Sequence, residues 1–324
     1  EHLLRWLSFV PERRGAPLPV LLRDPVDRDV TFRPTKAPYD PRDLIRDLFD
    51  AGTFIETLAS WARSVVCGRA RLGGIPIGVV ATETRTMENI IPADPATPQS
   101  HERVAHEAGQ VWYPNSASKT AQAINDFNFG EQLPLFIFAN WRGFSGGMRD
   151  MFNEVLKFGS HIVDALRKYK QPISIYIPPN GELRGGAWVV LDTTINADMI
   201  EMYASESARG GILEPAGAVE IKYKERHLRA TMLRLDDECK RLAEELAAAD
   251  AGSDAATAAA AALTARQDDL MPYYRQVAVQ FADLHDTPGR MLAKGVVKSV
   301  VPWRNARRFF YWRMSRRVGL HGLA

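Results

Sequence analysis

Hydrophobic and polar positions change rhythm several times along this chain. Residues 11–42 have none: Pro11, Pro17, Pro19, Pro25, Pro34, Pro38 and Pro41 fall too close together for a helix, so the segment reads as an extended arm. From Pro41, the residues Leu44, Ile45, Leu48 and Phe49 recur at helical spacing up to Ala51-Gly52. Residues 65–81 predict two strands around a Gly73-Gly74 turn, the second nearly all apolar and therefore covered on both faces. Residues 135–140 predict another strand, followed by glycine-rich residues 143–147 and a helical stripe of Met151, Val155, Leu156, Phe158, Ile162, Val163 and Leu166. Ile173, Ile175 and Ile177 alternate with Ser174 and Tyr176 as a strand does. Residues 188–191 predict a further strand after Arg184-Gly185-Gly186, with residues 200–204 and the Gly210-Gly211 turn following. Recurring strand, glycine loop and helix predict a layered α/β core, with ligands where loops leave the strands.

Past residue 217 the alternation stops. Residues 219–249 and 254–285 are dense in Ala, Leu, Glu and Arg around a polar break at 250–254, which predicts an antiparallel helical hairpin. Its Ala-rich run at 255–265 predicts a thin surface helix. Residues 304–317 set Arg304, Arg307, Arg308, Arg313, Arg316 and Arg317 among Phe309, Phe310, Tyr311 and Trp312, an amphipathic helix with a solvated face. The expected divisions are an arm at 1–42, a core at 43–217, a hairpin at 218–290 and a basic-aromatic segment at 291–324.

Composition narrows the classes. Hydrophobic residues at 46% and charged residues at 25% are ordinary for a chain that buries a core. Forty-one basic and 39 acidic residues leave +2, too balanced for a surface devoted to nucleic acid or anionic lipid, so any anion site is local. Cys67 and Cys239 allow one disulfide at most and no four-thiolate zinc site, which fits a reducing, cytoplasmic setting. No apolar stretch approaches the roughly 18 residues of a membrane span, and the start lacks the pattern of a signal peptide. The first residue is not Met, which suggests a segment of something longer.

Several constellations could carry chemistry. Gly143-Phe144-Ser145-Gly146-Gly147 fits the G-x-S-x-G nucleophile elbow, with Asp192, Asp198 and then His227 in triad order. Against it, Asn140-Trp141-Arg142 separates strand from elbow, and His227 sits in a charged helical pattern. The same residues read as an anion site: Gly146 and Gly147 open a helix whose first N–H groups lack intrahelical partners, and Arg142 just before them can grip a carboxylate through two hydrogen bonds. A second loop, residues 181–186, again joins arginine to two glycines, and two such loops on one core suggest acyl or carboxyl chemistry. Either loop alone could simply make a tight turn. His101 and His106, five apart, do not share a helical face and read as solvent-exposed, so no metal site is expected. No phosphate loop or dinucleotide fingerprint is present. Both cysteines read as inert thiols.

Three blocks, residues 138–147, 181–186 and 210–215, resemble the C-terminal half of the carboxyltransferase component of eukaryotic acetyl-CoA carboxylase, and residues 63–74 and 111–116 are similar to it as well. The resemblance runs from Trp6-Leu7 to residues 309–312, nearly the whole chain. It implies a crotonase-like spiral of β-β-α units with a long helical hairpin extension, and an arm that leads in from an N-terminal half holding most of the coenzyme A. It implies biotin, carried by a separate domain, and a coenzyme A thioester as substrate. Partners would be that N-terminal half, the biotin carrier and biotin carboxylase domains of the same polypeptide, and a second copy in a head-to-tail dimer. By that resemblance Arg142 orients the transferred carboxylate and the Gly146 and Gly186 amides are oxyanion donors, with Gly147 and Gly185 shaping the loops. Trp112, Phe144 and Val155 match positions lining the cleft, while Glu214 precedes Lys222 and Lys224, which could face coenzyme A phosphates. The reaction implied makes malonyl-CoA for fatty acid synthesis. The alternatives are another acyl-CoA, such as propionyl-CoA, or a non-catalytic dimerisation segment.

Overall fold

The expected arm carries no regular element from Ser8 to Asp40, between α1 (His2–Leu7) and α2 (Pro41–Leu48). The start of α2 is set locally: Pro41 supplies a helical φ, and the Asp40 carboxylate accepts the Arg42 N–H. After β1 (Ile55–Thr57), strands β2 (Val65–Leu72) and β3 (Ile75–Thr82) form the expected hairpin, with Leu72 opposite Ile75 and every residue of both strands buried. Gly73 and Gly74 have φ of +55° and +82°, the turn geometry that other residues resist. The Asp50 carboxylate accepts both of their N–H groups, at 2.8 and 2.7 Å.

An antiparallel pair, β4 (Met87–Ile91) and β5 (Arg103–Glu107), precedes β6 (Val111–Trp112) and α3 (Pro114–Asn125). Then come β7 (Leu135–Phe138), β8 (Gly143–Phe144), α4 (Met148–Phe152), α5 (Val155–Arg167), β9 (Ile173–Ile177), β10 (Glu182–Arg184), α6 (Gly185–Val190), β11 (Ile200–Ala204) and β12 (Arg209–Gly211). The computed structural model describes residues 1–321, so the last three positions of the expected C-terminal segment lie outside the described residues. The chain divides into two units, Glu1–Ile212 with Thr287–Ala324, and Leu213–Asp286.

In the first unit one seven-stranded sheet runs β1-β2-β3-β7-β9-β11-β13, where β13 is Ser299–Val300, antiparallel at the β1-β2-β3 edge and parallel beyond it. Hydrophobic clusters cover both faces. Cys67, Val80, Ile137 and Ile175 pack with Ile124 of α3 and Ile162 of α5, while Val66, Val79, Phe136 and Tyr176 pack with Leu44 of α2 and Phe310 of the C-terminal helix (Trp303–His321). That helix is only half solvated, because Arg307 is 1% exposed and donates to the Asp50 carboxylate at 2.8 Å and to the Leu48 and Pro25 carbonyls. Glu201 on β11 is held by Arg313, Lys298 and the Tyr203 hydroxyl.

Three expectations fail here: Gly210-Gly211 is not a turn but lies in β12, paired in parallel with β10. Residues 188–191 are not a strand: α6 covers 185–190 and buries Ala187 and Val190, a helical spacing, while the neighbouring strand is Ile200–Ala204. A four-residue apolar run fits either period, and the glycines before it open a helix. The single stripe from Met151 to Leu166 is two helices, broken where Glu154 adopts a left-handed φ of +61°.

The second unit is helical. Its first limb breaks into α7 (Pro215–Lys222), α8 (Glu225–Leu235) and α9 (Asp237–Ala248), and its second is the single α10 (Asp254–Asp283), capped by Ser253 and containing the mostly exposed Ala-rich run. Val219, Leu228, Met232, Cys239, Met271 and Ala278 make its core.

Candidate active site

Each of three parallel strands of the large sheet runs on into a short strand: β7 into β8, β9 into β10, β11 into β12. The short strands pair among themselves, β6 with β8 and β10 with β12, both parallel. Backbone bonds stitch them into a second layer: Arg142 N to Gln110 O and Ser145 N to Trp112 O at 2.8 Å, Arg184 N to Trp141 O at 2.8 Å, and Gly185 N to Ile212 O at 2.9 Å. This stacking brings the two glycine loops side by side. An added Cβ at Gly185, whose φ is +53°, would stand 2.9 Å from the Arg142 carbonyl oxygen, and one at Gly186 would stand 3.0 Å from the Phe144 ring.

Arg142 is exposed at the head of the first loop. Gly146 is also exposed, and a Cβ there would meet nothing within 4 Å, so this loop leaves open space above its backbone. Gly147 is the N-cap of the five-residue α4, and Gly186 lies in the first turn of α6, where amides have no carbonyl one turn earlier within the helix. Arg142, Gly146, Gly147, Gly185, Gly186 and Phe144 therefore belong to one neighbourhood.

Trp112 and Val155 are completely buried and present no surface to a ligand. Trp112 stacks between Trp141 at 4.1 Å and Phe144 at 5.2 Å, so its part is to back the loop rather than to line a cleft. Glu214, Lys222 and Lys224 belong to the second unit, the first as N-cap of α7 and the two lysines exposed at and after its end.

The serine hydrolase alternative loses its geometry. The Ser145 hydroxyl donates to the Asp150 carboxylate on α4 rather than to a histidine, and the His227 ring accepts from Arg226. Burial pushes the Cys67 thiol up to about 12, which makes it a poor nucleophile. Among the described residues no cluster of His, Cys, Asp and Glu could hold a metal, and no helix is long and apolar enough to cross a membrane.

Sequence reasoning passed over Asn140, Gln110 and Glu182. The Asn140 side-chain oxygen accepts from Gln110 Nε2 at 2.6 Å and from the Glu182 backbone N at 2.8 Å, and Asn140 is 5% exposed. The available signal was an asparagine just past a buried strand and two residues before the arginine.

A sheet whose strands continue into a second layer of short strands, with two glycine loops brought side by side, is the crotonase-like α/β fold. The carboxyl transferase domain family matches residues 1–318, and the chain belongs to that family. It is 57% identical over 330 residues to acetyl-CoA carboxylase of Schizosaccharomyces pombe, 56% identical to that of Saccharomyces cerevisiae, and 53% identical over 339 residues to that of Dictyostelium discoideum. Each alignment takes in 98% of this chain but 14–15% of the relative, so the chain spans about a seventh of their length. Among solved structures it is similar to transcarboxylase 12S, described with methylmalonyl-coenzyme A and methylmalonic acid bound, with a TM-score of 0.67 at 19% identity over 97% of this chain and 50% of that one. That likeness extends to the fold.

Proposed function

We propose that this chain is the C-terminal half of the carboxyltransferase of an acetyl-CoA carboxylase, forming malonyl-CoA from acetyl-CoA and carboxybiotin for fatty acid synthesis. The observation that carries the reading is the meeting of the two glycine loops at the Arg142 backbone. The residues fit such reactants: an exposed guanidinium for a carboxylate, and open space above the Gly146 backbone. When bound, carboxybiotin supplies the activated carboxyl group.

Arg142 grips and orients that carboxylate. The Gly146 and Gly186 amides donate to oxygens on which negative charge develops, which favours the transition state over the ground state because both donors are already in place. Gly147 and Gly185 shape the two loops, Phe144 packs between them, and Trp112 and Val155 support them from behind. In the second unit Glu214, Lys222 and Lys224 serve substrate binding, the lysines as exposed cations suited to coenzyme A phosphates.

The missing half is part of the proposal. Met148 is 89% and Phe152 87% exposed, and Met151 and Leu156 are also bare, an apolar rim beside the open loop. This rim suits the N-terminal carboxyltransferase half of a second copy in a head-to-tail dimer. The biotin carrier and biotin carboxylase domains would lie elsewhere in the same cytoplasmic polypeptide.

The test is biotin-dependent turnover of malonyl-CoA by this chain alone and after co-expression with a matching N-terminal half, with Arg142→Ala beside each. Activity only in the combined sample, lost in the variant while the fold is retained, is expected. No turnover from a folded, dimeric combined sample overturns the assignment.

A further inference from the structure

We propose that Asn140 is a positioning residue: its one carboxamide sets the Arg142 loop and the Gly185-Gly186 loop relative to each other, an inference resting on the carboxyltransferase reading above. Its side-chain oxygen takes two hydrogen bonds from two different segments. One comes from the side chain of Gln110, whose backbone carbonyl accepts the Arg142 N–H, and the other from the backbone of Glu182, which begins the strand ending at Arg184. The Glu182 donor is a main-chain N–H, so the acceptor must be the amide oxygen and its orientation is settled. Asn140 is itself tied to the sheet, because its backbone N donates to the Thr82 hydroxyl at 3.0 Å.

The geometry leaves little slack. Asn140 lies two residues before Arg142, and Arg184 N reaches back to the carbonyl of Trp141 between them. Gln110 holds a left-handed φ of +63°, and its N–H bonds to Glu83 O at 2.8 Å. Without the carboxamide oxygen, the Gln110 amide and the Glu182 N–H would lose their shared acceptor in a partly buried place, and each loop could shift to find another. Asn140 touches no reacting atom in this reading. Its effect passes through the distance between the arginine and the second loop.

The experiment compares Asn140→Leu, which keeps the volume and removes the acceptor, with Asn140→Asp, which keeps both acceptor bonds and gives up the amide's bond with the Tyr39 hydroxyl. In the combined enzyme, N140L is expected to lower kcat for malonyl-CoA about tenfold to a hundredfold with KM little changed, as a small misplacement of reacting groups does, and N140D is expected to restore most of it. Because Asn140 acts through Arg142, N140L in an Arg142→Lys background should add little further loss; fully multiplicative losses overturn the proposal. Amide hydrogen exchange on this chain gives a readout independent of activity. The Glu182 and Arg184 amides should exchange faster in N140L and recover in N140D, and unchanged exchange overturns the proposal whatever the kinetics show. If the unaltered enzyme turns over no malonyl-CoA, the functional reading falls while the exchange result still decides the role of Asn140.

Discussion

The two glycine loops share a composition and a neighbourhood, yet they are built differently. The first, around Gly146, is open: nothing stands within 4 Å of an added Cβ, and the short helix after it is bare on its apolar side. The second, from Gly181 to Gly186, is clamped, with Pro178 against Gly181, the Arg142 carbonyl against Gly185 and the Phe144 ring against Gly186. On the proposed reading, in which both loops donate to oxyanions, the two need not be equally rigid. On that reading the clamped one would be a reference edge for the open one and its arginine, and the open one would leave space for reactants.

Substitution should expose that contrast. Gly185→Ala meets both a left-handed φ and a backbone oxygen, so it should cost about 1–3 kcal/mol and abolish turnover; a thermal midpoint within a degree or so of the parent would break the comparison. Acidification tests the footing of the clamped loop, since β11 carries Glu201 and runs on to the strand that pairs with β10. Burial alone would raise that carboxyl, but bonds from Arg313, Lys298 and Tyr203 outweigh it and hold it near 2 instead of the usual 4.5. The folded state then binds the proton less readily than the unfolded one, so this stabilisation is whole above about pH 4.5 and is lost as pH falls toward 2. It amounts to about 2–3 kcal/mol, and denaturant midpoints across that window should slope in the parent and flatten in Glu201→Gln. Gly186→Ala presses on the Phe144 ring at 3.0 Å without straining the backbone, so a stability loss of about 1 kcal/mol and a partial loss of kcat are expected, read by the same two assays. Gly146→Ala should leave the thermal midpoint unchanged and raise only KM for biotin; a destabilised G146A would show that the first loop is not open.

Much of this frame was legible in the chain. The β2-β3 hairpin announced itself because two glycines and an uninterrupted apolar run have few other uses, and the helix after Pro41 because proline and periodicity agree. The loops were visible as glycine and arginine, but their adjacency comes from pairing between strands of two or three residues, which leave no period to read. Residues 188–191 were misjudged because four apolar residues suit either strand or helix. Trp112 reads alike as core or cleft, and only its stacking between Trp141 and Phe144 decides. Asn140 was hidden because its partners lie 30 and 42 residues away.

The bond between Arg307 and Asp50 spans 257 positions, and Trp303 reaches the Phe32 carbonyl across 271. Asp50 also fastens the turn of the β2-β3 hairpin, so that turn acquires its last partner only when the C-terminal helix arrives. Until then that face of the first half of the sheet is covered only in part, by α2, and closure of so long a loop should make folding slow and late. Nascent chains cut before residue 303 should therefore engage chaperones and resist compaction, while chains extended past the helix should become protease-resistant in a single step.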